Sequence, residues 1–402
     1  MKASESNSRY TGKVRECTNY SVRGIKNLLK DEDVKSRHAC SQGELDVQKH
    51  LQSELQNFCD EVYAESFTAK INTNKISNLF AFIFMFLSAA AIILSNFISE
   101  AILFASVGFS ILAFASMLGL FNKFAKSKKS LNVIAKRKSL GVATHKVVFC
   151  ANTDAPFKRR IYKSTENAFT TLTFIGIFLH LDYDVFLLGS TYYNLFDLNH
   201  MPVMTVVSYF LIGFSLFPLI CIFAVNTGSA IPGVADNLSG SFACVGAMRY
   251  LSEFDLRLDN TDVFVVLTGA KNANFAGAKA YVDAHANEDK KCDTLFVCVD
   301  TIKGIETLSI KSGTSKGTKL VFEASENTKH TPIKSEAKYL KGDASVFSKS
   351  GINCATITTL GAVAPEFYGT KHDNLDNLDT KSTEAAINIL LESAYLVDAK
   401  SK

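Results

Sequence analysis

The sequence lacks paired cysteines, an apolar leader and a strong net charge. Its nine cysteines are scattered and include no Cys-x-x-Cys pair, so we expect reduced thiols in a cytosolic compartment rather than a disulfide framework. The first 40 residues are polar and contain no apolar run typical of a signal peptide. The formal net charge of +4 is too small to indicate nucleic-acid binding.

Charge is also absent from three long apolar stretches, residues 76–95, 101–122 and 201–226. Each reaches the roughly 20 residues that a helix needs to cross about 30 Å of hydrocarbon. A fourth stretch starts near Ala168 but meets Asp182 and Asp184 early, so the pattern does not define its outer end. The sequence therefore predicts about four transmembrane helices, arranged as two hairpins in a lipid bilayer.

The placement of lysine and arginine predicts how these hairpins are oriented. The connection 122–166 carries 12 of these residues, whereas the links 97–100 and 181–200 carry none. Because positive residues stay on the cytoplasmic side, we expect a multi-pass protein with both termini and every large polar segment in the cytoplasm. The basic connection either sets topology alone or also contacts anionic lipid, at about 1 kcal/mol per residue. Asp182 and Asp184 then fall in an outer link, unless they serve a transporter-like or lipid-binding role.

The polar parts of the chain alternate between strand and helix patterns. Ser41 and Glu44 form a capping box at the start of a helix that runs to about residue 59. Further helices are expected up to residue 251, at 276–285, at 383–396 and in part of 325–340. Strands are expected at 62–69, 131–135, 146–151, 262–268, 294–299, 319–322 and 352–358. This alternation predicts an α/β sandwich with a largely parallel sheet.

In such a sheet, functional residues gather beyond the carboxyl ends of the strands. Five polar residues come just after a predicted strand: Asn152, Asp154, Lys271, Asn272 and Asp300. Asp236 follows a glycine turn and opens a helix. The pattern alone therefore places these six residues around one shared site.

Eight short motifs occur in a fixed order along the polar parts. They are RHACSQGE (37–44), LNVIA (131–135), FCANTDA (149–155), GVADNLSG (233–240), LTGAKNANFAGAKAYVDAH (267–285), FVCVDTIKG (296–304), GDASVFSKSGI (342–352) and GTKHDNLDNLD (369–379). In this order they resemble the motifs of the co-catalytic zinc aminopeptidases, whose relatives include bacterial leucyl aminopeptidases, glutamate carboxypeptidase, glutaminyl cyclases and the transferrin receptor. The resemblance covers nearly all of the polar sequence.

The resemblance implies a three-layer α/β/α domain with a mostly parallel mixed sheet. The transmembrane hairpins, at 76–122 and 167–227, would be inserted into this domain. Its three parts would then be residues 1–75, residues 123–166 with the basic connection, and residues 228–402.

The resemblance also implies a metal site that has lost most of its ligands. In the family, two zinc ions share an aspartate, each takes a histidine and a carboxylate, and a glutamate serves as general base. Asp236 stands at the bridging position and Asp300 at a carboxylate position. The other positions are replaced, the two histidines by Asn152 and Gly369, the ligand glutamate by Asn272 and the base by Lys271.

These replacements predict that the zinc site is lost. Zinc prefers imidazole, thiolate and carboxylate ligands, and a lysine cannot act as the carboxylate base for a zinc-bound water. Lys271 is instead expected to pair with Asp236 or Asp300. His372 could compensate in part through a loop shift. Asp154, which in the family orients the first histidine, could itself become a ligand, but neither residue restores the base.

The sequence therefore predicts a multi-pass membrane protein whose cytoplasmic aminopeptidase-like domain lacks peptidase activity and needs no metal cofactor. Such a domain would bind a peptide or protein ligand, or act as a scaffold. The alternative is an active membrane-bound zinc-dependent aminopeptidase, or an amide hydrolase with displaced ligands. Cys150 and Ser239 are possible nucleophiles for such a hydrolase, although a buried strand and a helix start explain both residues equally well.

Overall fold

The computed structural model describes residues 12–32, 34–95, 101–161, 163–192, 202–311, 313–333, 342–361, 363 and 365–400. The chain divides into two compact units. The sheet unit is drawn from Met1–Ala69, Lys128–Lys158 and Gly228–Lys402, and the helical unit from Lys70–Ser127 and Arg159–Thr227. Each unit is thus built from segments that are separated along the chain.

Nine strands lie in the described residues. They are β1 (Glu61–Lys70), β2 (Ser127–Arg137), β3 (His145–Asn152), β4 (Phe157–Arg159), β5 (Val225–Ala230), β6 (Thr261–Thr268), β7 (Thr294–Val299), β8 (Ser309–Lys311) and β9 (Asn353–Thr358). Seven form one sheet in the order β1-β2-β6-β3-β7-β9-β8, and β4 and β5 form a two-stranded sheet. Strand β3 runs parallel to β6 and β7, and β7 to β9, whereas β2 and β8 are antiparallel to their neighbours β6 and β9. The predicted mostly parallel mixed sheet is confirmed.

The central strands are buried on both faces, as continuous apolar runs predict for parallel strands. Successive side chains of β3 point to opposite faces, so that Val147 and Phe149 enter one core while Val148 and Cys150 enter the other. The first core also holds residues of helices on one side of the sheet, and the second holds residues of helices on the other side. The predicted three-layer α/β/α arrangement is therefore confirmed.

Eleven α-helices lie in the described residues. In chain order they are α1 (Lys13–Leu28), α2 (Gln42–Gln56), α3 (Thr73–Ser95), α4 (Ala101–Met117), α5 (Lys163–Tyr192), α6 (Pro202–Ala224), α7 (Ser239–Glu253), α8 (Ala276–Lys291), α9 (Ser315–Asn327), α10 (Ala344–Lys349) and α11 (Thr380–Lys400). Helices α1, α2, α7, α9 and α11 contribute to the first core, and α8 and α10 to the second.

The strand predicted at 319–322 is wrong, because these residues lie within α9. Thr314 caps that helix by accepting a hydrogen bond from the backbone N–H of Gly317 at 3.1 Å. Val321 and Ala324, three residues apart, both enter the first core. A run of three apolar residues, such as 320–322, does not distinguish a strand from one buried turn of a helix. In the mixed segment 325–340, helix α9 ends at Asn327, residues 328–333 are not helical, and residues 334–340 lie outside the described residues.

The helical unit contains α3 to α6, and three of its helices are long and apolar enough to span a membrane: Thr73–Leu94, Thr165–Ser190 and Val206–Ala224. The apolar helix Ile102–Met117 is shorter. It stops before a turn at Gly119, whose φ of +91° is readily adopted only by glycine. The fourth apolar stretch, which starts near Ala168, is therefore part of the long helix α5. Asp182 and Asp184 lie within this helix rather than in the predicted outer link.

Candidate functional site

The carboxyl ends of three neighbouring strands supply the predicted site residues. Asn152 ends β3, Asp300 directly follows β7, and Lys271 lies three residues beyond the end of β6. Asp236 comes from the irregular segment Val234–Leu238, which precedes α7 and joins Asp236 to the next residue by a cis peptide bond. The sheet order puts these strand ends side by side, as the sequence predicted.

Lys271 is the centre of the site. Its Nζ donates to both carboxylate oxygens of Asp300, at 2.8 and 2.7 Å, and to Oδ1 of Asn152 at 3.2 Å. The same Nζ lies 3.6 Å from Oδ1 of Asp236. All four side chains are buried, with Lys271 only 9% exposed. The predicted ion pair is therefore present, and Asp300 is the carboxylate that Lys271 contacts directly.

The surroundings of Lys271 favour its charged form. Burial opposes the charge, but the carboxylates of Asp300 and Asp236 raise the pKa of Lys271 well above its ordinary value. Burial raises the pKa of Asp236. The positive charge of Lys271 lowers this pKa, and the negative charge of Asp300 raises it further. One ammonium group offsets one carboxylate, and because it contacts Asp300 directly, Asp236 remains the less compensated of the two acids.

The second predicted carboxylate, Asp154, is fully occupied by hydrogen-bond donors. Its two oxygens accept from the backbone N–H groups of Lys271 and Asn272 at 3.0 and 2.8 Å. They also accept from the side-chain amides of Asn272 and Asn152, at 3.0 and 3.2 Å. Asp154 thus fixes the loop that carries Lys271. The observed bonds leave it no role as a free metal ligand.

The Asp236 segment is held from two sides. Asp373 accepts from the backbone N–H groups of Ala235 and Asp236 at 2.7 and 3.0 Å. Gly233 has a φ of +58°, and a Cβ there would lie 2.6 Å from the carbonyl oxygen of Asp236, so only glycine fits. The buried guanidinium of Arg37 donates to the Gly233 carbonyl at 2.5 Å. These contacts explain why the GVAD turn has this sequence.

The closing motif does not bring a histidine into the site. His372 is exposed, and its Nε2 lies 3.8 Å from a carboxylate oxygen of Glu366. Gly369 has a φ of +69° and offers no side chain. The neighbouring Asp373 points inward instead. In this structure, the loop shift considered for His372 has not occurred.

Sequence reasoning missed two buried acids at the site. One is Asp373, although the sequence DNLD at 373–376, directly after His372, pointed to an acid near the site. Asp343, at the start of α10, accepts from the Thr268 hydroxyl at 2.6 Å. Burial raises the pKa of Asp343 to about 6 and that of Asp373 to about 7.

Glu44 likewise does more than its capping-box pattern predicted. Ser41 accepts from the Glu44 backbone N–H at 3.2 Å, as expected of a helix cap. The Glu44 carboxylate accepts from the backbone N–H groups of Cys40 and Ala270, both at 2.6 Å. It therefore ties α2 to the loop that carries Lys271.

The residues at the site do not fit zinc. The ammonium of Lys271 lies where it contacts both retained carboxylates, and a dication there would meet a positive charge rather than a ligand. The remaining ligand positions offer amide groups or no side chain, and His372, the histidine considered as a replacement, is exposed. Within the described residues, no three His, Cys, Asp or Glu side chains are grouped so that they could hold a metal ion. The residues present therefore give no support for a metal-dependent step at this site.

The possible nucleophiles are packed into the fold. Cys150 is fully buried in β3, and burial raises the pKa of its thiol to about 11. The raised pKa disfavours the thiolate, which is the reactive form of cysteine. The Ser239 hydroxyl donates to the Val234 carbonyl at 2.8 Å and is itself buried. The packing interpretation of both residues agrees with these contacts.

Comparison with known proteins supports the resemblance that the motifs indicated. The model of Peptidase family M28 matches residues 224–394, less than half of the chain. A search of curated proteins finds no match. Among solved structures, an aminopeptidase from Aneurinibacillus sp. strain AM-1 has a TM-score of 0.55 at 13% identity, over 96% of this chain and 95% of that one.

Two other solved structures show the same similarity. A zinc aminopeptidase from Bacillus subtilis has a TM-score of 0.54 at 12% identity, covering 94% of both chains. A glutaminyl cyclase from Fimbriiglobus ruber has a TM-score of 0.56 at 9% identity, covering 94% of this chain and 95% of that one. The sheet unit therefore has a zinc-aminopeptidase-like α/β fold, and at such identities the similarity shows the fold alone.

Proposed function

We propose that this chain is an aminopeptidase-like protein anchored in a membrane, in which the buried Lys271 stands where the metal ions of an aminopeptidase would bind. Its sheet unit would have no peptidase activity and would bind a peptide or protein ligand, or act as a scaffold. The observation that carries this proposal is the contact of Lys271 Nζ with both oxygens of Asp300, 3.6 Å from Asp236.

Electrostatics supports the loss of activity. A hydrolase of this family type needs a carboxylate base beside metal-bound water, and position 271 supplies a buried cation instead. Asp154, which also contacts this loop, accepts four hydrogen bonds from N–H donors. Neither the residue at the position of the base nor Asp154 is therefore placed to activate water.

The helical unit supports a membrane location. Besides three helices long enough to span a bilayer, it exposes large apolar side chains on every helix, among them Phe86, Phe104, Phe178 and Phe210. Large exposed apolar surfaces on a water-soluble protein mark a binding site or a membrane contact. We propose a multi-pass arrangement, with the sheet unit on the cytoplasmic side.

Hydrolysis by the detergent-purified full chain tests the catalytic part of the proposal. Aminoacyl substrates are offered with and without added zinc, beside the Asp236→Ala variant and the Lys279→Ala variant, which removes an exposed lysine. We expect all three proteins to give the same background rate. Zinc-dependent cleavage that Asp236→Ala abolishes and Lys279→Ala retains would instead establish an active peptidase.

Cysteine labelling tests the topology. Single cysteines are introduced at positions 193–201, between α5 and α6, and at Lys138, an exposed residue of the sheet unit. We expect an impermeant reagent to label the first set on intact cells and Lys138→Cys only after the membrane is opened. The unaltered protein provides the background from its nine cysteines. The reverse labelling pattern would contradict the cytoplasmic placement.

A further inference from the structure

The helical unit has a buried polar cluster made by all four of its helices. It consists of Asp184 and His180 from α5, Ser88 from α3, Ser106 and Ser110 from α4, and the Leu211 carbonyl of α6. The five side chains are at most 1% exposed. Polar groups enclosed by such apolar helices are costly to bury and are a functional-site hypothesis by default.

Hydroxyl groups surround the carboxylate of Asp184. Ser106 donates to Oδ1 at 2.5 Å, and Ser110 donates to Oδ2 at 2.7 Å. The Ser88 hydroxyl lies 3.0 Å from each of those two hydroxyls and 3.4 Å from Oδ2. Distances of 2.5 and 2.7 Å are typical of hydrogen bonds from a hydroxyl to a carboxylate. The oxygens of the cluster are therefore joined by hydrogen bonds.

His180 connects to the same hydroxyl network. Its Nε2 lies 3.2 Å from the Leu211 carbonyl, which can only accept, so Nε2 carries a hydrogen. Its Nδ1 lies 3.2 Å from the Ser88 hydroxyl. Nδ1 accepts from Ser88 when the ring is neutral and donates to Ser88 when the ring is charged. An unbroken path thus runs from Asp184 through Ser110 and Ser88 to His180.

The neighbouring helices supply no other counter-charge. In sequence, α4 has no titratable residue, α6 has only Tyr209 and Cys221, and α3 has only Lys75, at its first turn. On α5, Lys163 and Glu166 lie in the first turn and Tyr192 is the last residue, while Asp182 is exposed and Tyr183 is partly buried against the apolar residues around Leu211. A lone carboxylate here would be an uncompensated charge in an apolar bundle. One proton, on either Asp184 or His180, removes that charge.

We propose that this cluster is a proton-binding site, in which Asp184 and His180 share one proton through the serine hydroxyls. The carboxylic acid gives its proton to Ser110, Ser110 passes its own to Ser88, and Ser88 passes its own to Nδ1 of His180. The result is a carboxylate and an imidazolium, with no net change in charge, and the reverse transfer restores the acid. The helical unit is then a titratable element and not a passive anchor.

Infrared and NMR spectroscopy of the full chain in lipid nanodiscs test this site at neutral pH. We expect the difference between wild type and Asp184→Asn to show either a protonated carboxyl band or, with labelled histidine, an imidazolium signal. Subtraction removes other buried acids such as Glu44. Asp182→Asn, which changes an exposed carboxyl on the same helix, should leave unchanged whichever of the two signals the wild type shows. The absence of both signals from the wild-type minus Asp184→Asn difference would overturn the proposal.

A second variant covers the case in which Asp184→Asn fails to fold. Ser110→Ala keeps the carboxyl but removes the hydroxyl 2.7 Å from it. We expect the carboxyl band to shift, or the proton to redistribute between Asp184 and His180. Spectra identical to wild type in both the carboxyl and the imidazolium regions would also overturn the proposal. Neither measurement depends on Lys271, so a failure here is distinct from a failure of the proposed function.

Discussion

The ammonium group of Lys271 is held by both carboxylate oxygens of Asp300, at 2.7 and 2.8 Å, in a site from which water is largely excluded. Both residues come from loops just beyond parallel strands, where a sheet of this kind gathers functional groups. In our proposal, this internal ion pair stands where the resemblance places the metal centre of the family.

Removal of the lysine is expected to destabilise the sheet unit strongly. Lys271→Ala leaves Asp300 and Asp236 buried without their cation, which typically costs about 3–5 kcal/mol. Thermal unfolding of the full chain in detergent measures the change. Lys279→Ala, which alters an exposed lysine of α8, is the matched control. Equal melting temperatures for the two variants would show that the ion pair contributes little.

The two acids are expected to contribute unequally. Asp300→Asn removes a carboxylate that Lys271 contacts directly, whereas Asp236→Asn removes one 3.6 Å away whose pKa is raised by burial. We therefore expect Asp300→Asn to lower the unfolding free energy more, by about 3 kcal/mol or above. Chemical denaturation of both variants gives the comparison. A larger loss for Asp236→Asn would reverse our assignment of the primary partner.

The cap of α2 can be tested without touching the ion pair. Ser41→Ala removes the side-chain acceptor of the Glu44 N–H and should cost about 1 kcal/mol. Ser41→Asn keeps an acceptor at this position and should stay close to wild type. Denaturation midpoints that fall equally for both variants would mean that the cap is not the cause.

The contribution of Asp343 to stability is expected to fall as the pH rises from 4 to 7. Burial raises the pKa of Asp343 to about 6 from an ordinary value of 3.8. A raised carboxyl pKa stabilises the fold fully below the ordinary value, and this stabilisation is lost as the pH passes the folded value. Asp343→Asn should remove part of the slope, on the order of 2–3 kcal/mol. Parallel stability curves for wild type and Asp343→Asn would contradict this.

Local patterns in the sequence predicted much of the fold and part of the site. Continuous apolar runs predicted β3, β6 and β7, and the polar residues at their ends predicted the meeting of Asn152, Lys271 and Asp300. Lys271 was expected to pair with Asp236 or Asp300, and only the structure distinguished the direct partner from the more distant one.

Features set by distant contacts were not predictable in this way. Asp184 was placed in an outer link because its charge interrupted an apolar run. Its hydroxyl partners come from α3 and α4, whose contact with α5 no local pattern encodes. Asp343 was missed for the same reason, since its partner Thr268 lies 75 residues away in sequence, whereas the DNLD sequence did offer a signal for Asp373.

The metal content of the detergent-purified full chain tests the central claim most directly. Elemental analysis after dialysis against trace zinc counts the ions bound per chain. If Lys271 occupies the place of the metal ions, the ratio of zinc to chain will be near zero, and Asp236→Ala will not change it. About two zinc ions per chain, the number in a two-metal hydrolase site, lost on Asp236→Ala, would contradict the account.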